Sequence, residues 1–326
     1  MRLSRLKADV GEAGVYHCMS RVAGGLPMLN EEARGEMVRL LGRLGEYSEV
    51  EVLTYCMMPN HFHLLVRVPT RRPAESFTDE EIVAKLEAFH GRKAVPSQLA
   101  RAAVKEGAPI PEKIRERVLT RMREVSGFMA EFKQRVTRWY NRRHDRYGFL
   151  WGERFRSVMV EDTPEVLRLI AAYIDLNPVR AGLVADPGKY AYGGYAAALG
   201  GVRAMRKSLT EMLGAKDWPA AAAAYRALMG FSEGGVGKAG RGAAGKEAAG
   251  QEPGSEAPVS VSDLLRRRIR HMTDGVFLGS EAFVNAMWER HREKFDRRRK
   301  SGARPIRGAE LPGLRVLRNL RVRAVE

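Results

Sequence analysis

The clearest hydrophobic pattern in the chain is a short alternation just after residue 60. Phe62, Leu64 and Val66 alternate with His61 and His63. Successive side chains of a β-strand point to opposite faces, so the alternation predicts a strand that buries the first three residues. The same strand would place both imidazoles together on its other face.

Similar patterns continue on both sides of this strand. Period-two segments predict strands, and apolar residues at helical spacing predict helices. The order strand, helix, strand, strand begins a compact α+β unit. The predicted strands cover 14–22, 49–57, 61–68 and 151–160, and the predicted helices cover 31–45, 121–143 and 163–177. In the second strand, residues 50, 52, 54 and 56 are expected to share one face.

Changes in composition divide the remaining chain. Residues 70–119 are rich in proline, alanine and charge and are interpreted as a helical insertion into a domain that spans 1–200. Residues 190–201 are expected to be a loop at the end of that domain. A helical extension is predicted at 201–230, a flexible linker rich in Gly, Ala, Glu, Lys and Ser at 231–258, and a basic region at 259–326 with helices at 261–270 and 280–295.

The charge balance indicates a class of partner. The chain has 56 Lys and Arg against 39 Asp and Glu, a net charge of +17. From residue 261 onward there are 17 basic and 8 acidic residues. Such an excess favours a polyanionic partner such as nucleic acid, although a solubilising basic surface is the alternative.

Cysteine content and hydropathy exclude other classes. The two cysteines exclude a disulfide framework and a four-cysteine zinc module. Since the sequence contains no apolar run of about 18 residues, no membrane partner is expected. A cytoplasmic protein is predicted.

Candidate chemistry begins with the histidine pair. Two imidazoles on one strand face can bind one divalent metal ion, but they need a further ligand. In the predicted helix after Thr163, Tyr173 and Asn177 stand four residues apart and would share a face. The Asn177 carbonyl could ligate the ion, and Tyr173 could attack a phosphodiester. The alternatives remain two half-buried histidines and an ordinary aromatic on an amphipathic helix; Asp175 is expected to be solvated.

Two segments together identify a family resemblance. Residues 59–65, Pro-Asn-His-Phe-His-Leu-Leu, and residues 173–184, Tyr-Ile-Asp-Leu-Asn-Pro-Val-Arg-Ala-Gly-Leu-Val, resemble the HUH single-tyrosine transposases, in particular the REP-associated tyrosine transposase group. Segments 16–21 and 141–155 are also similar to that group. The resemblance spans roughly residues 10–200, interrupted by the insertion at 70–119, which has no counterpart in the compact relatives.

The resemblance implies a fold and an activity. The fold would be a ferredoxin-like antiparallel sheet with helices on one face, followed here by a mainly helical C-terminal extension. His61, His63 and Asn177 would bind Mg²⁺ or Mn²⁺. Tyr173 would cleave single-stranded hairpin DNA, forming a 5′-phosphotyrosine and leaving a free 3′-OH. A monomer is expected, with a dimer as the alternative.

Basic and aromatic residues are candidates for DNA contact. The aromatic pair Trp139 and Tyr140 could stack on bases, but its helical spacing is more typical of core residues. The predicted phosphate-contacting residues are Arg21, Arg142, Arg143, Arg154 and Arg156. Two other functions stay open: a hairpin-binding protein that does not cleave, and a metal-dependent phosphodiesterase that uses water in place of Tyr173.

Overall fold

The computed structural model describes residues 11–231, 260–267, 271–295, 300–306 and 313–318, together with residues 6, 8, 269 and 311. The predicted linker 231–258 lies outside these residues apart from its first position. The chain divides into two compact units, Met1–Asp162 and Thr163–Glu326. The predicted domain ranges themselves stay predictions. Within the described residues, no helix combines the length and the apolar composition needed to span a bilayer.

The first unit is an antiparallel sheet with helices. Its elements are β1 (Gly14–Arg21), α1 (Glu31–Ser48), β2 (Glu51–Met57), β3 (His61–Val68), α2 (Asp79–His90), α3 (Val95–Lys105), α4 (Glu112–Leu119), α5 (Val125–Arg143) and β4 (Arg156–Val160). The strand order is β2-β3-β1-β4, and every neighbouring pair is antiparallel. If α2 to α4 are set aside, the βαββαβ order and this strand order define the ferredoxin-like topology. The predicted α+β fold class is therefore confirmed.

A hydrophobic core lies between the sheet and helices α1 and α5. Phe62, Leu64 and Val66 have no exposed surface, as their alternation predicts. The Phe62 ring meets Phe132 of α5 edge to face, with 5.3 Å between ring centroids, and α1 packs against α5. Burying such aromatic and aliphatic groups contributes roughly 1.5–3 kcal/mol per side chain. The helices on this face therefore fix β3, and with it the opposite, histidine-bearing face.

Strand β2 departs from its predicted pattern. A bulge between Val52 and Thr54 places Val52 opposite Val66, and Thr54 opposite Leu65, the residue before Val66 in β3. Neighbouring residues of β3 point to opposite faces, so Val52 lies on the core face while Thr54 and Cys56 lie on the histidine face. The prediction of one shared face for these residues was wrong, because an inserted residue inverts the alternation.

The insertion contains three helices, of which α4 was not predicted. Helix α2 packs on α1, where the Phe89 ring stacks on Tyr47 with 4.4 Å between centroids. The Arg135 guanidinium of α5 lies 4.2 Å from the centre of the Phe89 ring. The first helix of the insertion is thus anchored to both core helices by aromatic contacts.

His90, the last residue of α2, should make stability depend on pH. The Arg135 guanidinium donates to His90 Nδ1 at 2.9 Å. Burial, and then the charge of Arg135, lower the pKa of His90 to about 4. An unfolded chain takes up this proton near pH 6.5, at about the ordinary histidine pKa. Between these values the unfolded state binds more protons, so stability falls as the pH drops from about 6.5 to about 4.

We expect His90→Gln to flatten this pH dependence. The glutamine cannot titrate, yet its amide oxygen can still accept from Arg135. Because His90 is only half-buried, the difference should be about 1 kcal/mol or less. Urea unfolding of wild type and variant at about pH 7 and about pH 4.5 measures it. Equal loss of stability in both proteins would contradict the prediction.

The second unit contains the remaining helices and three short strands. Its elements are α6 (Pro164–Asp175), α7 (Asn177–Arg180), α8 (Gly194–Leu199), α9 (Arg203–Leu213), α10 (Trp218–Leu228), α11 (Val261–Arg266), α12 (His271–Asp274), β5 (Phe277–Gly279), α13 (Glu281–Arg290), β6 (Arg304–Pro305) and β7 (Arg315–Leu317). The loop expected at 190–201 contains α8. The strands run in the order β5-β7-β6 and pair antiparallel.

The two helices predicted in the basic C-terminal region pack on different partners. Helix α11 contacts α6 and α7, whereas α13 packs on β5 and β7. The segment between the helices is buried as strand β5, which separates their packing surfaces. Leu264, Leu265 and Ile269 are buried. This part of the tail therefore stabilises the helix that carries Tyr173.

Candidate functional site

The histidine face of the first unit holds three imidazoles from two strands. His61 and His63 of β3 lie opposite Arg21 and Met19 of β1. His17, also on β1, reaches diagonally across, and its Nε2 lies 2.9 Å from His63 Nδ1. The ring centroids of His61 and His63 are 5.1 Å apart. The strand therefore brings the predicted pair together, and the register with β1 adds His17.

The hydrogen bond between His61 and the Asn60 side chain defines the tautomer of His61. Asn60 Nδ2 donates to the Gly25 carbonyl at 3.0 Å, so its Oδ1 is the acceptor in the 2.6 Å contact with His61 Nδ1. His61 Nδ1 must then carry the hydrogen, and in the neutral ring the lone pair is on Nε2. Metal-binding histidines commonly make this kind of bond with the ring nitrogen that does not face the ion.

His63 can adopt the same arrangement through His17. His63 is 3% exposed and His17 is 2% exposed, so this bond is shielded from water. If His63 Nδ1 donates to His17 Nε2, then His63 Nε2 carries the lone pair. Both predicted ligands would then offer Nε2 to a metal. The sequence analysis did not assign Asn60 or His17 as the residue that orients a ligand. For His17 the reason is that only the strand register shows its contact with His63.

The donor types suit a divalent ion that needs additional ligands. Among the described residues, no group of three or more His, Cys, Asp or Glu side chains has metal-binding geometry. Two imidazoles would therefore require oxygen donors of another kind, such as an amide or a phosphate. Imidazole nitrogen favours Mn²⁺ over Mg²⁺, which binds mainly oxygen. The assignment of Asn177 as third ligand stays a prediction.

The tyrosine segment belongs to the second unit. Tyr173 is on the last turn of α6, which ends at Asp175, and Asn177 begins α7. The break precedes Pro178, which has no N–H to donate to the Ile174 carbonyl and so interrupts the helical hydrogen bonding. Tyr173 is 3% exposed, and its hydroxyl donates to the Ile269 carbonyl over 3.4 Å. This is a long hydrogen bond, so it holds the hydroxyl weakly.

Arg180, which was not predicted as a site residue, contacts both the ring and the backbone of Tyr173. Its guanidinium carbon lies 4.1 Å from the centre of the Tyr173 ring. One terminal nitrogen donates to the Tyr173 carbonyl at 2.7 Å, and the other donates to the Leu265 carbonyl at 2.9 Å. A single planar side chain thus joins the end of α6, the phenol ring and α11. The signal in the sequence was an arginine two turns after the tyrosine.

Asp175 is buried, so the prediction that it is solvated was wrong. It is 3% exposed. Its Oδ2 accepts from the Tyr225 hydroxyl at 2.7 Å, and its Oδ1 accepts from the Tyr195 backbone N–H at 3.2 Å. Burial, and then the Asp175 charge, raise the pKa of Tyr225 well above its ordinary value. The aspartate therefore supports the end of α6 from the side of α10.

Asp175→Asn should lower stability by about 1–3 kcal/mol, the cost of one unsatisfied buried donor. The two donors approach different carboxylate oxygens, and asparagine has an oxygen at only one of these positions, so it cannot accept from both the Tyr225 hydroxyl and the Tyr195 N–H. Urea unfolding measures the loss. Tyr225→Phe removes one donor, and the double variant should therefore lose less than the sum of the single variants. Additive losses would show that Asp175 and Tyr225 are not coupled.

The five candidate phosphate-contacting arginines are all exposed and all belong to the first unit. Arg143 pairs with Glu32 at 2.8 Å, and Arg156 pairs with Glu153 at 3.3 Å. Arg142 has no ion-pair partner among the residues that the structure describes. Of the aromatic candidates, Tyr140 is 6% exposed and stacks on His144, with 4.2 Å between ring centroids. Tyr140 is therefore a core residue, as its spacing suggested.

Comparison with solved structures gives a structural likeness. A solved structure of a REP-associated tyrosine transposase bound to a REP hairpin is similar to this chain with a TM-score of 0.36 and 12% sequence identity. The likeness covers 62% of this chain and 87% of that chain. No family model and no curated protein matches the sequence.

Proposed function

We propose that this chain is a metal-dependent transposase-type endonuclease that cleaves and rejoins single-stranded hairpin DNA through Tyr173. The observation that supports it best is the histidine pair on β3, whose Nδ1 atoms both have side-chain hydrogen-bonding partners, Asn60 Oδ1 and His17 Nε2. A protein that only binds DNA has no need of two imidazoles held in this way. The basic composition agrees with a polyanionic substrate.

His61 and His63 would hold the ion through Nε2, with Asn177 and a substrate phosphate oxygen as the oxygen donors. When bound, the ion would withdraw electron density from the scissile phosphate. Asn60 and His17 would orient the two imidazoles before the ion binds, which reduces the ordering cost of forming the site.

Tyr173 would supply the nucleophile. Its hydroxyl oxygen attacks the phosphorus and forms a phosphotyrosine ester with the 5′-phosphate, while the bond from phosphorus to the 3′-oxygen breaks. The phenol loses one proton and the departing 3′-oxygen gains one, so the step is balanced. Rejoining is the reverse attack by a 3′-OH. Before attack the hydroxyl must leave the Ile269 carbonyl, and the length of that bond makes its loss inexpensive.

Arg180 would act on the same step. Its charge lies against the phenol ring, close to where the phosphate must approach, so it favours an anionic substrate there. Its two carbonyl contacts also fix the direction in which Tyr173 points.

A denaturing gel separates this proposal from the two alternatives. The substrate is a hairpin with a single-stranded flank, labelled on the side that would keep the 5′-phosphate, incubated with Mn²⁺. A labelled band that migrates with the protein supports the tyrosine mechanism. Cleavage without such a band indicates hydrolysis by water. A mobility shift on a native gel without any cleavage indicates a binding protein.

A further inference from the structure

The loop that follows α5 exposes two aromatic rings. Tyr147 is 91% exposed and Phe149 is 89% exposed, far more than any other large apolar residue in the described parts of the chain. Phenylalanine is among the residues most often buried, because removing its ring from water is favourable. Two neighbouring exposed rings therefore suggest a binding surface.

Hydrogen bonds hold this loop in a defined shape. The Arg146 N–H donates to the Asn141 carbonyl at 2.8 Å, and Asn141 Nδ2 donates to the Gly148 carbonyl at 2.9 Å. Gly148, between the two rings, has a φ of 85°, which glycine adopts without strain. Leu150 is buried and ends the loop. The rings are thus presented by an anchored segment, which lowers the entropic cost of binding to them.

The loop lies within a basic stretch of the sequence. Residues 138–156 contain six arginines and two carboxylates. Exposed arginines lie on both sides of the loop, Arg142 and Arg143 before it and Arg154 and Arg156 after it. Aromatic rings within a positive surface are typical of sites that stack bases while cations contact the phosphates. Two copies of the same positive surface would repel each other, which disfavours self-association through this loop.

The loop adjoins the histidine end of the sheet. The Leu150 carbonyl accepts from the Ala23 N–H at 3.0 Å, and the preceding Val22 N–H donates to the Asn60 carbonyl at 2.9 Å. The Asn60 side chain in turn accepts from His61. Two backbone hydrogen bonds and the Asn60 side chain therefore link the end of the loop to the histidine-bearing end of β3.

We propose that Tyr147 and Phe149 form a stacking platform for unpaired bases of single-stranded nucleic acid. The inference deepens the proposed function, on which it rests for the identity of the substrate, by assigning the single-stranded flank of the hairpin to this loop. It adds a binding site without adding a chemical step.

The test is direct binding by the full chain in EDTA, so that cleavage plays no part. The probes are a fluorescently labelled oligothymidine and a blunt duplex of equal length. In the double variant Tyr147→Ala/Phe149→Ala, affinity for the oligothymidine should fall at least about twentyfold, since two rings are removed and each stacked base contributes a factor of about five or more. Affinity for the duplex should change less than about twofold, because no phosphate contact is removed.

Two controls separate stacking from charge and from misfolding. Arg142→Ala should weaken both probes and lower the slope of log affinity against log salt by about one, whereas the ring variant should keep the wild-type slope. Tyr147→Trp/Phe149→Trp should restore oligothymidine binding. A 2-aminopurine placed in the single strand should be quenched by wild type and by the tryptophan variant, but not by the alanine variant.

Three outcomes would overturn the platform: unchanged oligothymidine binding by the alanine variant, an equal loss on both probes, or a wild-type dimer that the alanine variant converts to a monomer without affecting DNA binding. Failure of the proposed function is distinguishable. Stacking without a covalent adduct in Mn²⁺ would leave the platform intact and remove the tyrosine mechanism. An adduct that forms normally in the alanine variant, with unchanged binding, would support the tyrosine mechanism and exclude the platform.

Discussion

Tyr173→Phe should abolish the covalent protein–DNA adduct and leave hairpin binding unchanged within about twofold. Only the hydroxyl is removed, so the Arg180 contact with the ring and with the residue 173 carbonyl is retained. The substitution removes the long donation to the Ile269 carbonyl. Stability should therefore change by no more than about 1 kcal/mol. Removing the attacking atom eliminates the step, so the residual signal should be at the limit of detection.

The measurement is the denaturing gel, with binding followed separately by anisotropy. Tyr140→Phe is the matched control, since it also deletes one hydroxyl from a buried tyrosine, and it should form adduct at the wild-type rate. An adduct in Tyr173→Phe above a few per cent of wild type would refute the nucleophile assignment. Cleavage that continues without an adduct would point to water as the nucleophile.

The second large effect concerns the histidine pair. His61→Ala and His63→Ala should each reduce Mn²⁺ affinity by at least about a hundredfold, more than the loss expected when only a supporting hydrogen bond is removed. Both variants should also lose DNA cleavage in Mn²⁺. Asn60→Ala removes the acceptor that orients His61 and should weaken Mn²⁺ about tenfold. Asn177→Ala should weaken it less than either histidine variant, because both imidazoles remain.

Calorimetry with Mn²⁺ on the free protein is the direct test, because it needs no DNA. His144→Ala is the control, since this exposed histidine at the end of α5 stacks on Tyr140 and should bind Mn²⁺ as wild type does. His63 is buried, so thermal unfolding must show that its variant is folded. His61 is half-exposed and tests the site without that complication. Unchanged affinity in both variants would exclude the metal site.

The sequence by itself determined the main strands and helices of the first unit and the placement of His61 and His63 on one face of a strand. Alternation on β3 and helical spacing on α1 and α5 are local properties, because they reflect which side of one element faces the core. The Pro178 position likewise predicted the end of α6 within a few residues. These features could be predicted from the sequence because each depends only on residues within about two helical turns along the chain.

Only the tertiary structure decided which residues support those side chains. His17 and His63 are 46 positions apart, and their contact depends on the register between β1 and β3. The β2 bulge reversed a predicted face, because one extra residue inverts a period of two. Asp175 looked solvated since nothing local showed that Tyr225, 50 positions later, would bury it. The sequence also did not predict the exposure of Tyr147 and Phe149. Hydrophobic periodicity predicts which side of a helix or strand is buried, but it does not predict whether an aromatic residue in a loop is exposed.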